Sequence, residues 1–108
     1  MGMNNYALYE TRCEGCHSDI ELPILFSFGR VAEHRYKLGD SIVHDSDSNP
    51  INGTVVADGL VSYCPICHDD YGGPEDFYIF IQDNLLQEVV PADGRFKIAE
   101  ASFILLSP

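Results

Sequence analysis

The chain carries four cysteines, and all four fall into two copies of one short motif: Cys13-Glu14-Gly15-Cys16-His17 and Cys64-Pro65-Ile66-Cys67-His68. Nothing else in the sequence constrains the fold as much. Two thiols separated by two residues can aim at one point only if the chain turns tightly between them, and the turn's own N–H groups then point at the sulfurs. Two such turns meeting across a fold supply four thiolates in a tetrahedral set, which suits Zn(II) or a single iron ion. Gly15 is expected to provide an unusual backbone angle in the first turn, and Pro65 to pre-set the second. The pairs are separated by residues 17–63, a stretch of 47 positions, so a substantial sheet is expected between them. The motif predicts one shared metal site with Cys13, Cys16, Cys64 and Cys67 as ligands and one Zn(II) per chain.

Three other uses of the same residues have to be weighed. Each motif is also CxxCH, the attachment pattern of c-type haem, but two haems need distal ligands and an exported chain. Cys64-Pro65-Ile66-Cys67 resembles the redox motif of glutaredoxin-like proteins. That chemistry places the first thiol at a helix N-terminus, whereas Asp69, Asp70, Gly72, Gly73 and Pro74 break any helix at once. Two disulfides would each strain a two-residue loop. Four thiolates on one metal avoid these difficulties. Such a shell is closed and leaves no Lewis-acid position for a substrate, so the metal is expected to be structural rather than catalytic. His17 and His68 would then sit just outside the shell, or one would replace a thiolate. A Zn(II) tetrathiolate carries a formal charge of about −2, and Arg12 is the nearby compensator.

Charge narrows the choice of partner. Six Lys and Arg face seventeen Asp and Glu, a formal net charge of −11. Between Lys37 and Arg95 there is no cation, while Asp40, Asp45, Asp47, Asp58, Asp69, Asp70, Glu75, Asp76, Asp83, Glu88 and Asp93 lie there. Binding a phosphate backbone needs clustered cations to displace counterions, so nucleic acid is excluded as an expected partner. No apolar run approaches the roughly 18–20 residues that cross a bilayer, which excludes a membrane-spanning helix. The N-terminus shows no secretory pattern, and a cytoplasmic, soluble chain is the expectation.

The remainder reads mainly as strand. Residues 6–12 lead into the first turn, and residues 20–28 follow it, with Pro23 arguing for an edge or a bulge. Residues 34–43 read as two short strands about Gly39-Asp40, followed by a polar loop at 45–52. Residues 53–57 and 60–63 read as a hairpin about Asp58-Gly59 that delivers the chain to the second turn. Residues 77–82 and 85–90 form a second pair about Asp83-Asn84, with one helix starting at Pro74 as the alternative. Residues 96–99 and 101–106 close the chain. The expected organisation is one metal-stapled domain over 1–108, with knuckles at 13–16 and 64–67, a β insert at 20–63 and C-terminal strands at 77–106. Its fold class is mainly β, a small antiparallel sheet or a partly open barrel.

The two cysteine turns resemble the knuckles of zinc-ribbon and rubredoxin-like domains, where paired CxxC turns sit on hairpins. That likeness implies Cys13, Cys16, Cys64 and Cys67 as ligands. It departs from rubredoxin where a Gly commonly follows the second cysteine, because His17 and His68 stand there, and in the larger insert. Both departures favour zinc over an electron-transfer iron. Tyr36-Lys37-Leu38-Gly39-Asp40-Ser41-Ile42 and Gly53-Thr54-Val55-Val56 also resemble the strand–turn grammar of SH3-like barrels.

Other motifs carry less. Asp45-Ser46-Asp47-Ser48-Asn49 opens like a calcium loop, but Pro50 stands where Gly is needed and Val56 where the closing Glu belongs. His34 and His44 read as ordinary surface histidines rather than a second site with a carboxylate. Asp69-Asp70 and Glu75-Asp76 bracket Gly72-Gly73-Pro74 in what reads as a mobile, solubilising acidic loop. No catalytic constellation or phosphate-binding loop is present. The expected function is non-enzymatic: a small zinc protein that binds a protein partner through an acidic face, with a homodimer left open by its sheet edges. The alternative is a redox or electron-transfer protein using tetrathiolate iron or the CxxC thiols.

Overall fold

In the computed structural model, residues 5–28, 34–44, 52–96, 98 and 103–107 are described. They form seven strands: β1 (Asn5–Arg12), β2 (Asp19–Phe26), β3 (Arg35–Tyr36), β4 (Thr54–Val61), β5 (Asp76–Gln82), β6 (Leu85–Pro91) and β7 (Phe103–Ser107). The neighbour order is β3-β1-β2-β4-β5-β6, with β7 pairing β4 beside that path. Every pairing is antiparallel except the two-residue β1–β3 ladder, so the sheet is mixed rather than purely antiparallel. It curls into a half-barrel. The chain after β3 reaches across to β6 through a bridge between Ser41 and Leu85, with the Gly39 N–H donating to the Leu86 carbonyl and the Ile42 N–H to the Asn84 carbonyl. Among the described residues no helix is long and apolar enough to cross a membrane.

Alternation decides which residues meet. On the inner face Ala7, Leu22, Ile24, Val55, Ala57, Phe77, Ile79, Ile81 and Leu86 are buried, and Cys13 and Cys64 belong to the same cluster. Burying such side chains contributes about 1.5–3 kcal/mol each. Val56 and Tyr78 point the other way, where Ala92, Phe96 and Ile98 pack against them: the Phe96 ring meets Tyr78 edge-on at 5.1 Å, and the Phe96 N–H donates to the Tyr78 hydroxyl at 3.1 Å.

Three local expectations change, and the strand pair about Asp83-Asn84 is met. Asp58-Gly59 is not a turn. Both residues lie inside the continuous strand β4, paired with Tyr78 and Phe77. Gly59 is there for space, since a Cβ would stand 2.7 Å from Ile24 Cγ2, 3.1 Å from Ile79 Cδ1 and 3.2 Å from Phe77 Cβ. Pro23 occupies β2, a strand with neighbours on both sides. Its carbonyl accepts from the Ser62 N–H at 3.2 Å and the Ser62 hydroxyl at 2.8 Å, so its missing N–H also faces β4. The β2–β4 ladder spans only Ile24–Val61 and Leu25–Leu60, so Pro23 stands just past its end and no ladder bond is lost. Residues 34–43 do not pair with each other; their two limbs go to β1 and to β6. Residues 75–90 form strands rather than a helix, joined at Asp83 and Asn84 with φ of 49° and 66°, the type I′ geometry expected of a two-residue hairpin. The polar stretch 45–51 and most of 97–102 lie outside the described residues. Phe96 and Ile98 are not in a strand.

Candidate metal centre

Each cysteine turn caps a hairpin. The first joins β1 to β2 and the second joins β4 to β5, and the contact between β2 and β4 sets the hairpins side by side. The turns repeat one bonding scheme. The His17 N–H donates to the Cys13 carbonyl at 2.8 Å, and the His68 N–H to the Cys64 carbonyl at 2.9 Å. The Cys13 N–H reaches the Ser18 carbonyl at 3.0 Å, and the Cys64 N–H the Asp69 carbonyl at 2.9 Å. Within each turn an N–H points at the first sulfur, Cys16 to Cys13 Sγ and Cys67 to Cys64 Sγ, both at 3.5 Å. The Ile66 N–H adds a third such contact, 3.4 Å from Cys64 Sγ.

The scheme closes because His17 and His68 hold φ of 60° and 61°, in the left-handed region. Gly15 has no such angle; its surroundings hold only Cys13 Sγ at 3.6 Å and the Asp70 carbonyl oxygen at 3.9 Å from an added Cβ. The unusual backbone angle therefore falls on the residue after the second cysteine, two positions later than expected. A histidine tolerates that angle better than a β-branched residue would.

All four sulfurs converge. Cys13 Sγ lies 3.8 Å from Cys67 Sγ and Cys16 Sγ lies 3.8 Å from Cys64 Sγ, and the whole set falls within 4.8 Å. A regular tetrahedron with metal–sulfur bonds of about 2.3 Å has edges of about 3.8 Å. The thiols are free rather than bonded in pairs, as these separations require. Cys13 and Cys64 are fully buried, and Cys16 and Cys67 are half-buried. Neither His17 nor His68 belongs to the converging group, and both are exposed. The cluster fits one metal ion.

The electrostatics of the thiols favour a cation among them. Burial acts to raise the Cys64 thiol, but the N–H groups of Cys67 and Ile66 outweigh it and bring the thiol down to about 6. The Ser18 N–H holds Cys16 below the ordinary thiol range. At Cys67 the Asp69 N–H pulls downward, yet burial and the neighbouring sulfurs of Cys64, Cys13 and Cys16 prevail and push it to about 12. The surroundings thus favour the thiolate at Cys16 and Cys64 and oppose it at Cys67.

Residues that the motifs did not single out hold the knuckles in place. Tyr71 is buried behind the site, its carbonyl accepts from the Glu14 N–H at 2.8 Å, and its hydroxyl donates to the Pro74 carbonyl. Burial, followed by the Tyr9, Asp70 and Glu14 charges, pushes its hydroxyl up to about 12. The stretch expected as a mobile acidic loop is thus a strap from the second knuckle onto the first. A Cβ on Gly72 would meet Glu14 Oε2 at 2.7 Å, and one on Gly73 would meet the Tyr71 ring at 2.7 Å. The Gly-Gly pair was the available signal, read as flexibility when it marks close approach. Arg12 stands beside the first knuckle, but its Nε donates to the His17 carbonyl at 3.2 Å. His44 Nε2 lies 3.0 Å from Asn84 Oδ1, and His34 stacks near Tyr36 at 5.8 Å; no carboxylate joins them among the described residues. The described acids between Asp40 and Asp93 are all exposed.

The sequence matches no protein-family model and no curated protein, and the fold matches no solved structure. Function has to be read from the four-cysteine cluster and the surface around it.

Proposed function

We propose that this chain is a small zinc protein in which one Zn(II), held by Cys13, Cys16, Cys64 and Cys67, joins two hairpins and supplies folding free energy, and that it serves as a non-enzymatic protein-binding module through its acidic surface. The observation that carries the metal is the pair of 3.8 Å sulfur separations between two turns of identical bonding pattern. With all four positions taken by sulfur, the metal would have no site for substrate, which supports a structural role. Structural zinc contributes on the order of 10 kcal/mol in small metal-dependent folds. The exposed acids and the scarcity of cations support a basic protein partner over nucleic acid.

Elemental analysis and native mass spectrometry, with a visible spectrum of the same sample, test the metal. One zinc per chain without colour is the expected result. Iron with visible thiolate-to-metal absorption would replace this reading with electron transfer, the chemistry to which the same four sulfurs are suited. Cys13→Ser and Cys64→Ser should both lose the metal and the cooperative unfolding transition, and normal stability in either would defeat a shared structural site.

A further inference from the structure

The half-barrel is open between β1 and β6, and the described residues fill only part of the opening. Antiparallel pairing from β1 through β2, β4 and β5 to β6 makes β1 and β6 run in the same direction. Residues 35–42 occupy the space between their first halves: β3 pairs with β1 at Tyr6 and Ala7, and the following residues bond to β6 at Asn84 and Leu86. Beyond that point neither β1 over residues 8–12 nor β6 over residues 87–91 has a strand on its outer side among the described residues. The Tyr6 N–H donates outward to the His34 carbonyl, so by alternation the N–H and carbonyl of Glu10 also face the gap. The Ala92 N–H donates inward to Asp76, which turns Pro91 and Val89 outward toward the same gap. Between the two edges lies a groove of about 390 Å³ lined by Leu8, Tyr9, Glu10, Glu21, Leu38 and Val89, with Lys37 also on its wall.

The groove's walls specify what would fill it. Glu10 stands directly across from Glu21, two carboxylates in a cross-strand pair with one cation in reach, Lys37 Nζ at 3.6 Å from Glu21. Like charges directly opposite are unfavourable. Tyr9 packs against the core, and Val89 is buried within it. The segment that fills the first half shows the matching pattern. In Arg35-Tyr36-Lys37 the tyrosine is buried against Phe26 at 5.9 Å, while Arg35 lies over the Tyr6 ring at 5.3 Å and Lys37 pairs with Glu21.

We propose that the open edge of β1 beside this groove accepts an extended peptide of a partner protein, about five residues long, as an added strand, with apolar side chains turned inward toward Tyr9 and Val89 and lysine or arginine turned outward to Glu10 and Glu21. Main-chain bonds to Glu10 give the register, and alternation gives the selectivity. This rests on the reading of the chain as a protein-binding module and names the class of partner.

The test is a titration of the full metal-loaded chain, followed by amide NMR at 0.15 M salt, with two capped seven-residue peptides of one composition. In one, lysine and valine alternate; in the other, four lysines precede three valines. The alternating peptide is expected to bind at least tenfold more tightly, to shift residues 8–12 and the groove-lining Val89, and to slow hydrogen exchange at the Glu10 amide. Glu10→Gln should weaken it about threefold, the size of one exposed ion pair, and N-methylation of alternate peptide amides should abolish binding while leaving peptide charge unchanged. Equal binding of both peptides, with shifts over residues 69–76, would overturn the strand slot and leave the acidic-surface reading standing. No binding of either peptide would defeat both. Exchange protection of Glu10 in the free protein, accompanied by a dimer in sedimentation, would give the slot to a second copy and overturn the proposal.

Discussion

His17 and His68 carry a cost that the sequence hides. A side chain at φ near 60° crowds its own backbone, and only glycine escapes that penalty. The bonds from the two histidine N–H groups to Cys13 and Cys64 require the angle regardless of the side chain. His17→Gly is expected to keep the metal stoichiometry and to raise stability by about 1 kcal/mol, while His17→Val lowers it by at least about 1 kcal/mol, both read from denaturant midpoints. At this scale the converging set of four cysteines was legible from spacing alone. The strained position was not, because the glycine that usually advertises it is missing and Gly15 drew the inference instead. Asp58 makes a second residue-scale prediction. Although its side chain is exposed, partial loss of water around the carboxyl and then the Asp76 charge raise it above the ordinary range, against an opposing bond from the Gly59 N–H. The fold therefore holds that proton more tightly than the unfolded chain does. Stability falls as pH rises through the window above the ordinary aspartate value, and the loss persists at neutral pH. Asp58→Asn should gain a few tenths of a kcal/mol at pH 7 after solvent screening and should flatten that limb of the pH–stability curve.

Strands and hairpins were legible where a local rule decides them, and illegible where a neighbour does. Asp83-Asn84 and Asp58-Gly59 look alike as turn signals. The first is a turn, because both residues take positive φ between two strands that pair with each other. The second lies in mid-strand, because Ile24, Phe77 and Ile79 approach the backbone more closely than a side chain would allow. Gly59→Ala tests the crowding: in β4 it is expected to cost about 1–3 kcal/mol by overpacking, with the metal retained, as thermal or denaturant unfolding would show, and Ile24→Ala should relieve part of that cost. Pro23 teaches the same lesson, since a proline argues against a central strand only where the ladder on its N–H side continues.

Across the whole molecule, net charge and the gathering of the four cysteines were readable from composition and spacing, and the open gap was not. The gap depends on two limbs of residues 34–43 choosing different partners, a decision made by register far away in sequence. Self-repulsion at a net charge of −11 should make the fold salt-sensitive in a definite direction, with the thermal midpoint rising between low and physiological ionic strength. Chelation should have a larger effect than salt, since it releases both hairpins at once, and restoring Zn(II) should reverse it. Calorimetry with and without chelator, at two salt concentrations, measures both.

Each hairpin brings two of the four converging sulfurs, and the halves are far apart in the order of synthesis. A chain leaving the ribosome exposes Cys13 and Cys16 long before Cys64 and Cys67 exist, and two thiols alone cannot close a tetrahedral shell. On the zinc reading proposed above, metal capture waits for the second hairpin. A product truncated before Cys64 would be left with a pair of bare, reactive sulfurs where the longer chain gathers four.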